Sequence, residues 1–155
     1  MTLIRYAVIR DTREKGGWYF DASSTCIGTE VKKLDTGDYT LDGFQSTFVI
    51  ERKGAVSEFA RNLTQDRFMA EIKRLQDITH PFILLEFNMA DLLNYPKIEG
   101  IPSRARRQIR FKGPAALQKT IEIMRDTNIQ IVFCGHRGKD VASSIFKRMI
   151  ERYDN

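Results

Sequence analysis

The sequence has little of what builds zinc sites, disulfide frameworks or membrane spans. It contains two cysteines and two histidines among 155 residues. Cys26 and Cys134 have neither CxxC spacing nor a histidine cluster beside them, which argues against a structural zinc site. The sequence also lacks a run of eighteen apolar residues and an apolar leader segment at its start. We therefore expect an intracellular protein with reduced thiols and no membrane partner.

The composition is that of a single globular domain with a mild excess of positive charge. A chain of 155 residues with 42% hydrophobic residues is long enough and apolar enough to bury one core, so we expect one domain over residues 1–155. Lysine and arginine outnumber aspartate and glutamate by 25 to 20, which gives a net charge of +5. This charge favours a polyanionic partner such as DNA but does not identify one by itself.

The first third of the sequence has the pattern of short strands separated by polar turns. Asp38 belongs to one of these turns, and Glu51 lies near the end of an alternating stretch. We expect a meander that places these two carboxylates on neighbouring strands. The predicted strands cover residues 4–10, 27–34, 39–41 and 44–53.

From Ser57 onward the apolar residues recur at helical spacing, and Ser57 itself is predicted to cap the first helix. That helix is either continuous or broken between Thr64 and Asp66. Further on, the sequence predicts buried strands at 82–87 and 129–135, a helix from Pro114 to Asp126 and a closing helix through residues 142–150. The predicted class is α/β, a central mixed sheet flanked by helices.

Acidic and basic residues suited to phosphodiester chemistry stand at 37–38 and 51–53. Strand alternation puts Glu51 and Lys53 on one face and Arg52 on the other. If Asp38 lies on the adjacent strand, two carboxylates and an ammonium converge. Carboxylates can ligate Mg²⁺, which supports hydrolysis of a phosphodiester. Lys53 would orient or deprotonate the attacking water, or stabilise charge on the phosphate.

These residues resemble the motifs of the XPF-type nuclease domain, a branch of the PD-(D/E)xK superfamily. The resemblance begins with Asp11-Thr12-Arg13-Glu14, continues with Gly37-Asp38, and includes Glu51-Arg52-Lys53 in the same order and spacing. Further matches are Arg67-Phe68 in a predicted helix and Leu84-Leu85-Glu86-Phe87 at the end of a predicted strand. The resemblance covers almost the whole chain.

The resemblance implies a restriction-endonuclease-like core and an endonuclease that uses Mg²⁺ or Mn²⁺ and cuts branched or flap-bearing DNA. By this resemblance Asp11, Asp38 and Glu51 form the acidic metal site and Lys53 is the catalytic lysine. It also implies that Arg13 and Arg52 support the phosphate or the carboxylates, and that Arg67 contacts DNA.

The sequence departs from the family pattern in two places. The family has an aspartate four residues after the lysine of its ERK motif, where this chain has Ser57 followed by Glu58. Glu58 is therefore a doubtful ligand, as is Glu86. Many relatives also continue into a helix-hairpin-helix module, for which the sequence up to Asn155 shows no pattern. We expect recognition of DNA structure to be weaker or to come from elsewhere.

A basic segment has two interpretations of equal weight. Five cations occur within nine residues without an acidic residue among them, which suits a loop that follows DNA phosphates. The second interpretation is a solvated loop. The cations are Arg104, Arg106, Arg107, Arg110 and Lys112.

The acidic motifs also have interpretations that involve no catalysis. Gly37-Asp38 could serve only as a turn, and Glu51 with Lys53 could be a surface ion pair. The chain could then be a catalytically silent DNA-binding or scaffolding subunit. A homodimer, or pairing with another nuclease or recombination subunit, is a further hypothesis. Its apolar faces would be Ala116 to Met124 and Val141 to Ile150.

Overall fold

The computed structural model describes residues 5–154 and contains one six-stranded sheet in the order β2-β1-β3-β4-β5-β6. β1 and β2 are parallel, as are β4, β5 and β6, whereas β3 runs antiparallel to both of its neighbours. The predicted mixed sheet is confirmed. The strands are Tyr6–Arg10 (β1), Cys26–Val31 (β2), Tyr39–Leu41 (β3), Phe48–Lys53 (β4), His80–Leu85 (β5) and Gln130–Phe133 (β6).

Helices flank the sheet, and of the two alternatives for the first helical stretch, the break near Thr64 to Asp66 is the one present. The first helix starts at Val56 with Ala55 before it, so the prediction that Ser57 caps it is wrong. No side chain caps this helix; Ser57 already lies within its first turn. The helices are Val56–Asn62 (α1), Asp66–Leu75 (α2), Met89–Asn94 (α3), Ser103–Arg106 (α4), Gly113–Asp126 (α5) and Gly138–Tyr153 (α6), with a 3₁₀ turn at Gly135–Arg137.

The sheet has a hydrophobic core on each face, and strand alternation divides its residues between them. Val49, Ile83 and Leu85 belong to the core beneath α1, α2, α3 and α5. Phe48, Ile50, Phe82 and Leu84 belong to the opposite core, which α6 and Trp18 cover. Because side chains alternate along β4, Glu51 and Lys53 continue the first face and Arg52 continues the second.

Two expectations about strands are corrected. β2 pairs with β1 in parallel rather than with β3, so the antiparallel meander contains only β1, β3 and β4. The connection of residues 11–25 is long enough for this parallel return. β6 is half-buried rather than fully buried because it lies at the edge of the sheet. The first residue of the predicted strand 4–10 lies outside the described residues.

The surfaces expected to pair in a dimer are partly used within the chain. Ala142, Phe146 and Met149 on α6 pack into the core, so this face is not available for a second copy. On α5, Ala116 and Ile123 are buried, whereas Ile121 and Met124 remain exposed. Among the described helices, none has the length and apolar character needed to span a membrane.

Candidate active site

Three acidic residues stand where the central strands meet. Asp11 follows β1, Asp38 precedes β3 and Glu51 lies on β4. The Asp11 amide donates to the Asp38 carbonyl at 2.8 Å, and the Asp38 amide donates to the Ile50 carbonyl at 2.8 Å. These bonds continue the sheet beyond β3 and fix Asp38 between its neighbours. The expectation that Asp38 and Glu51 lie on adjacent chain segments is confirmed.

Gly37 is required by the close packing at this turn. Its φ is +84°, and an added Cβ would lie 2.7 Å from Cβ of Val49. A side chain at this position would be both strained and obstructed. The glycine before Asp38 therefore allows the chain to approach β4 closely enough for Asp38 Oδ2 to accept the Arg52 amide at 2.8 Å.

A cavity of about 200 Å³ opens over the acidic residues. Asp38 and Glu51 line its floor beside Asp11 and Arg13, as predicted from the sequence motifs. α2 contributes Glu71 and Arg74, which the motifs did not indicate. The remaining lining residues are Asp35, Thr36, Gly37 and Leu75.

The carboxyl groups of Asp38 and Glu51 interact through a hydrogen bond that lowers the pKa of Asp38 and raises the pKa of Glu51. Burial raises the pKa of Asp38 to about 7, and the negative charge of Glu14 adds to the shift. Burial and the nearby charge of Asp38 raise the pKa of Glu51 well above its ordinary value. The charge of Lys53 lowers both pKa values but does not cancel these shifts. A bound cation would favour the ionised form of both carboxylates.

Lys53 points to the same side of β4 as Glu51, as strand alternation predicted. Its Nζ lies 3.7 Å from Glu51 Oε1 and 3.9 Å from Glu58 Oε1. The ammonium also stands 5.0 Å from the centre of the Phe68 ring. The side chain of Lys53 is buried, so these contacts hold the ammonium beside the carboxylates rather than in solvent.

Asp11 is buried and its oxygens are already used by the protein. They accept the Leu34 amide at 2.8 Å and Arg13 Nε at 2.9 Å. Burial favours the neutral acid, but the hydrogen bonds from Leu34 and Arg13 outweigh it and lower the pKa of Asp11. Asp11 thus holds the segment before β3 in place through Leu34, and Arg13 binds the same carboxylate. Within residues 5–154, no three acidic, histidine or cysteine side chains are grouped to hold a metal ion.

The Arg52 side chain does not line the cavity of Asp38 and Glu51, and its role in supporting the phosphate or the carboxylates stays a prediction. Its Nε lies 2.5 Å from Glu86 Oε1, and its Nη1 lies 3.5 Å from Glu14 Oε1. The contact with Glu86 is an ion pair without the alignment of a hydrogen bond. Nη2 donates to the Gly16 carbonyl at 2.8 Å, and Trp18 covers the guanidinium. Glu86 is therefore committed to Arg52.

Glu71 could have been found from helical periodicity. Arg67, Glu71 and Arg74 are spaced at four and three residues on α2, directly beside the apolar positions that bury the helix. Because α2 packs beside β4, this polar stripe lies on the side of the sheet that carries Glu51. The signal was present, but it depends on knowing which way α2 packs.

The basic segment is not a single loop. Ser103–Arg106 forms α4, and the Arg106 guanidinium donates to the carbonyls of Ile98 and Ile101 at 2.9 and 2.8 Å. Arg106 therefore supports the local backbone instead of standing free for phosphate. The other four cations are exposed and stay candidates for DNA contact: Arg104, Arg107, Arg110 and Lys112.

Comparisons with known proteins agree with this architecture. The ERCC4 domain matches residues 10–147 of the chain. The fold is similar to XPF from Aeropyrum pernix, at 20% identity and a TM-score of 0.64 over 95% of this chain and 66% of that one. A structure of XPF from Aeropyrum pernix in complex with DNA gives 20% identity and a TM-score of 0.62, over 96% of this chain and 66% of that one.

The chain thus spans just under two thirds of the length of these solved structures. At 20% identity the likeness shows a shared fold. A comparison with curated proteins gave no match.

Replacing Asp38 by asparagine is expected to stabilise the protein in EDTA at alkaline pH. The pKa of Asp38 is about 7 in the folded protein, above the ordinary 3.8, so the folded state holds the proton more tightly. Its contribution to stability is therefore lost as pH rises from about 4 to 7. Asp38→Asn should raise Tm at pH 8 by a few degrees, with a gain that disappears near pH 4. Thermal unfolding across this pH range measures the difference.

Asp21→Asn is the control, because Asp21 is an exposed aspartate in the segment between β1 and β2. Its Tm should follow that of the wild type at every pH. If the gain in Tm for Asp38→Asn does not grow between pH 4 and pH 8, ionised Asp38 does not destabilise the folded protein and the prediction is wrong.

Glu86→Gln is expected to destabilise the fold by about 2 kcal/mol, because it leaves the largely buried Arg52 guanidinium with one weak acidic partner. Urea unfolding measures the loss. Asp126→Asn is the control, because its pair with Arg125 is exposed at the end of α5 and contributes little. Equal losses in the two variants would show that the pair with Arg52 is no stronger than a surface pair.

Proposed function

The chain belongs to the ERCC4 domain family of XPF-type nucleases, and from this premise we propose that it is a metal-dependent endonuclease that hydrolyses phosphodiester bonds in DNA. The observation that carries the proposal is the convergence of Asp38, Glu51 and Lys53 on one side of β4. This is the residue chemistry that phosphodiester hydrolysis requires: Asp38 and Glu51 line the acidic cavity, and Lys53 lines the cavity next to it.

The acidic pair fits Mg²⁺ or Mn²⁺. Asp38 and Glu51 offer hard oxygen donors, and their pKa values are raised mainly because burial disfavours their ionised forms, which a bound cation would stabilise. Mg²⁺ commonly binds through one or two carboxylates and keeps several waters, so it needs no third protein ligand. When bound, the metal would neutralise charge on the phosphate and make an activated water available.

Lys53 would act on the phosphate or on the attacking water. Its ammonium is held 3.7 Å from Glu51, and burial of its aliphatic chain restricts the positions that the ammonium can adopt. In this position it can donate a hydrogen bond to a phosphate oxygen and stabilise the charge that develops there. Glu58, 3.9 Å away on α1, would position this ammonium instead of binding metal.

The remaining carboxylates would have supporting roles. Asp11 holds Arg13 and the backbone of Leu34, so it would shape the metal cavity more than ligate the ion. Glu71 faces Glu51 from α2 and is placed to hold water around the metal. Ser57 occupies the position where the family pattern has an aspartate, and Glu71 offers a carboxylate to the same cavity from another helix.

Branched, flap or fork DNA is the proposed substrate class, by analogy with the family. The rival function is a catalytically silent subunit that binds DNA and supports another nuclease. It is favoured by the engagement of Asp11, whose carboxylate already accepts the Leu34 amide and Arg13 Nε. Calorimetric titration with Mn²⁺ separates the two: binding that Asp38→Asn weakens at least tenfold supports the enzyme, and no binding supports the scaffold.

The cleavage experiment compares single-stranded, duplex, flap and fork DNA in Mg²⁺, Mn²⁺ or EDTA. Wild-type protein should cut at least one substrate only when a metal is present. Asp38→Asn and Lys53→Ala should each lower the rate by at least 100-fold, because each removes a group placed at the reacting phosphate. DNA affinity in EDTA should change little.

Asp21→Asn controls for loss of one surface charge and should cut like the wild type. Cleavage that is unchanged in both Asp38→Asn and Lys53→Ala would reject the assigned site. DNA binding without cleavage by the wild type on any substrate would reject the enzyme in favour of the scaffold.

A further inference from the structure

A second cavity of about 250 Å³ lies beside the acidic one. Glu71 lines both cavities, and Lys53 lines the second, so the two spaces are separated by side chains that belong to the candidate reaction centre. Any ligand in the second cavity would therefore lie next to a phosphate held at Asp38 and Glu51. The other lining residues are Glu58, Arg61, Asn62, Gln65, Arg67 and Phe68.

Two guanidinium groups at this cavity are not used by the fold. Arg61 on α1 and Arg67 on α2 are both exposed, and neither side chain makes an ion pair or hydrogen bond within residues 5–154. Elsewhere Arg13, Arg52 and Arg106 are all committed to carboxylates or carbonyls. Free guanidinium groups that border a concave site suit a phosphate, which accepts their paired N–H donors.

The amide side chains between the two arginines leave one donor and one acceptor unused. Asn62 Nδ2 donates to Gln65 Oε1 at 3.2 Å, which leaves the Gln65 amide nitrogen as a donor. Asn62 Oδ1 is buried without a hydrogen-bond partner among the described residues, so it can accept from a bound water. The assignment of an anion therefore rests on the two arginines.

The two carboxylates of the cavity do not make it a second metal site. Glu58 already lies 3.9 Å from the Lys53 ammonium. Lys53, Arg61 and Arg67 carry three positive charges against the two of Glu58 and Glu71, and a divalent cation would meet that excess. The charge balance favours an anion at the rim where Arg61 and Arg67 stand.

We propose that Arg61 and Arg67 form a subsite for the DNA backbone phosphate adjacent to the one that is cleaved. A phosphodiester chain carries one such anion at every nucleotide, so a strand whose scissile phosphate lies at the acidic cavity would extend past Glu71 into the second. This inference rests on the proposed endonuclease function. In this proposal the subsite fixes which phosphate of the DNA strand lies at Lys53.

A scan with neutral phosphates tests the subsite. Single methylphosphonate groups are placed in turn at each position around the cleaved bond of the best substrate, and Kd is measured by fluorescence anisotropy in EDTA. Wild-type protein should lose about tenfold in affinity at one position within two nucleotides of that bond. The double variant Arg61→Gln/Arg67→Gln should bind unmodified DNA about tenfold more weakly and show no further loss at that position.

Two further variants make the assignment specific. Arg104→Gln/Arg107→Gln removes two exposed cations at α4 and its C-terminal end. This variant should lose as much affinity as the wild type when the methylphosphonate is at the sensitive position. Arg61→Lys/Arg67→Lys keeps the charge and should regain part of that sensitivity. The glutamine variant should also lower the slope of log K against log salt by about 0.9 for duplex DNA, the value for one phosphate contact.

The outcomes separate this subsite from the nuclease proposal. A methylphosphonate profile that is identical in wild type and in Arg61→Gln/Arg67→Gln overturns the subsite, even if cleavage is normal. A profile without any sensitive position near the cleaved bond also overturns it. A position-specific loss that depends on the two arginines, in a protein that cuts no DNA, keeps the subsite and rejects the enzyme; the scan is then centred on the junction of the fork.

Discussion

The candidate site depends on the pairing of β3, a strand of three residues held between two neighbours. Tyr39 pairs with Arg10 on β1 and with Ile50 on β4, so the residue before it is placed beside the ends of both strands. A shift of one residue in either register would turn Asp38 to the opposite face of the sheet. Tyr39 is completely buried and stacks on Trp18 at 4.9 Å, while its hydroxyl accepts the Trp18 amide at 2.6 Å. The loop after β1 is thereby packed onto the strand that sets the site.

The alternation of β4 gives the three residues of its ERK sequence two separate functions. Glu51 and Lys53 face the cavity, whereas Arg52 joins Glu14 from the loop after β1 and Glu86 from the segment after β5. A buried ion pair of this kind contributes little net stability, but it leaves an unpaired charge if either partner is lost. Arg52 therefore links three segments on the face of the sheet opposite to Glu51 and Lys53. The three residues are adjacent in sequence, but they face opposite sides of the sheet.

Much of the site could be predicted because its information is local. Gly37-Asp38 and the alternation of residues 49–53 specify a tight turn and a strand face, and the structure contains both. The features that were missed depend on long-range packing. The return of β2 beside β1, the edge position of β6 and the partners of Arg52 all require knowledge of which elements meet across the sheet. Glu71 was missed for the same reason, since only the packing of α2 turns its stripe toward Glu51.

The distribution of charge ties the acidic and basic features into one surface. Asp38 and Glu51 are half-buried beside one ammonium, and burial is the main cause of their raised pKa values. A fold selected for stability alone would place apolar or paired residues there. At the rim the excess is positive, because Arg61 and Arg67 have no partners within residues 5–154. An anionic strand would be attracted to the rim and repelled by the floor unless a cation lies between the strand and the carboxylates. Under the proposed function, the rim would bind the DNA strand and the chemistry at the floor would depend on a metal.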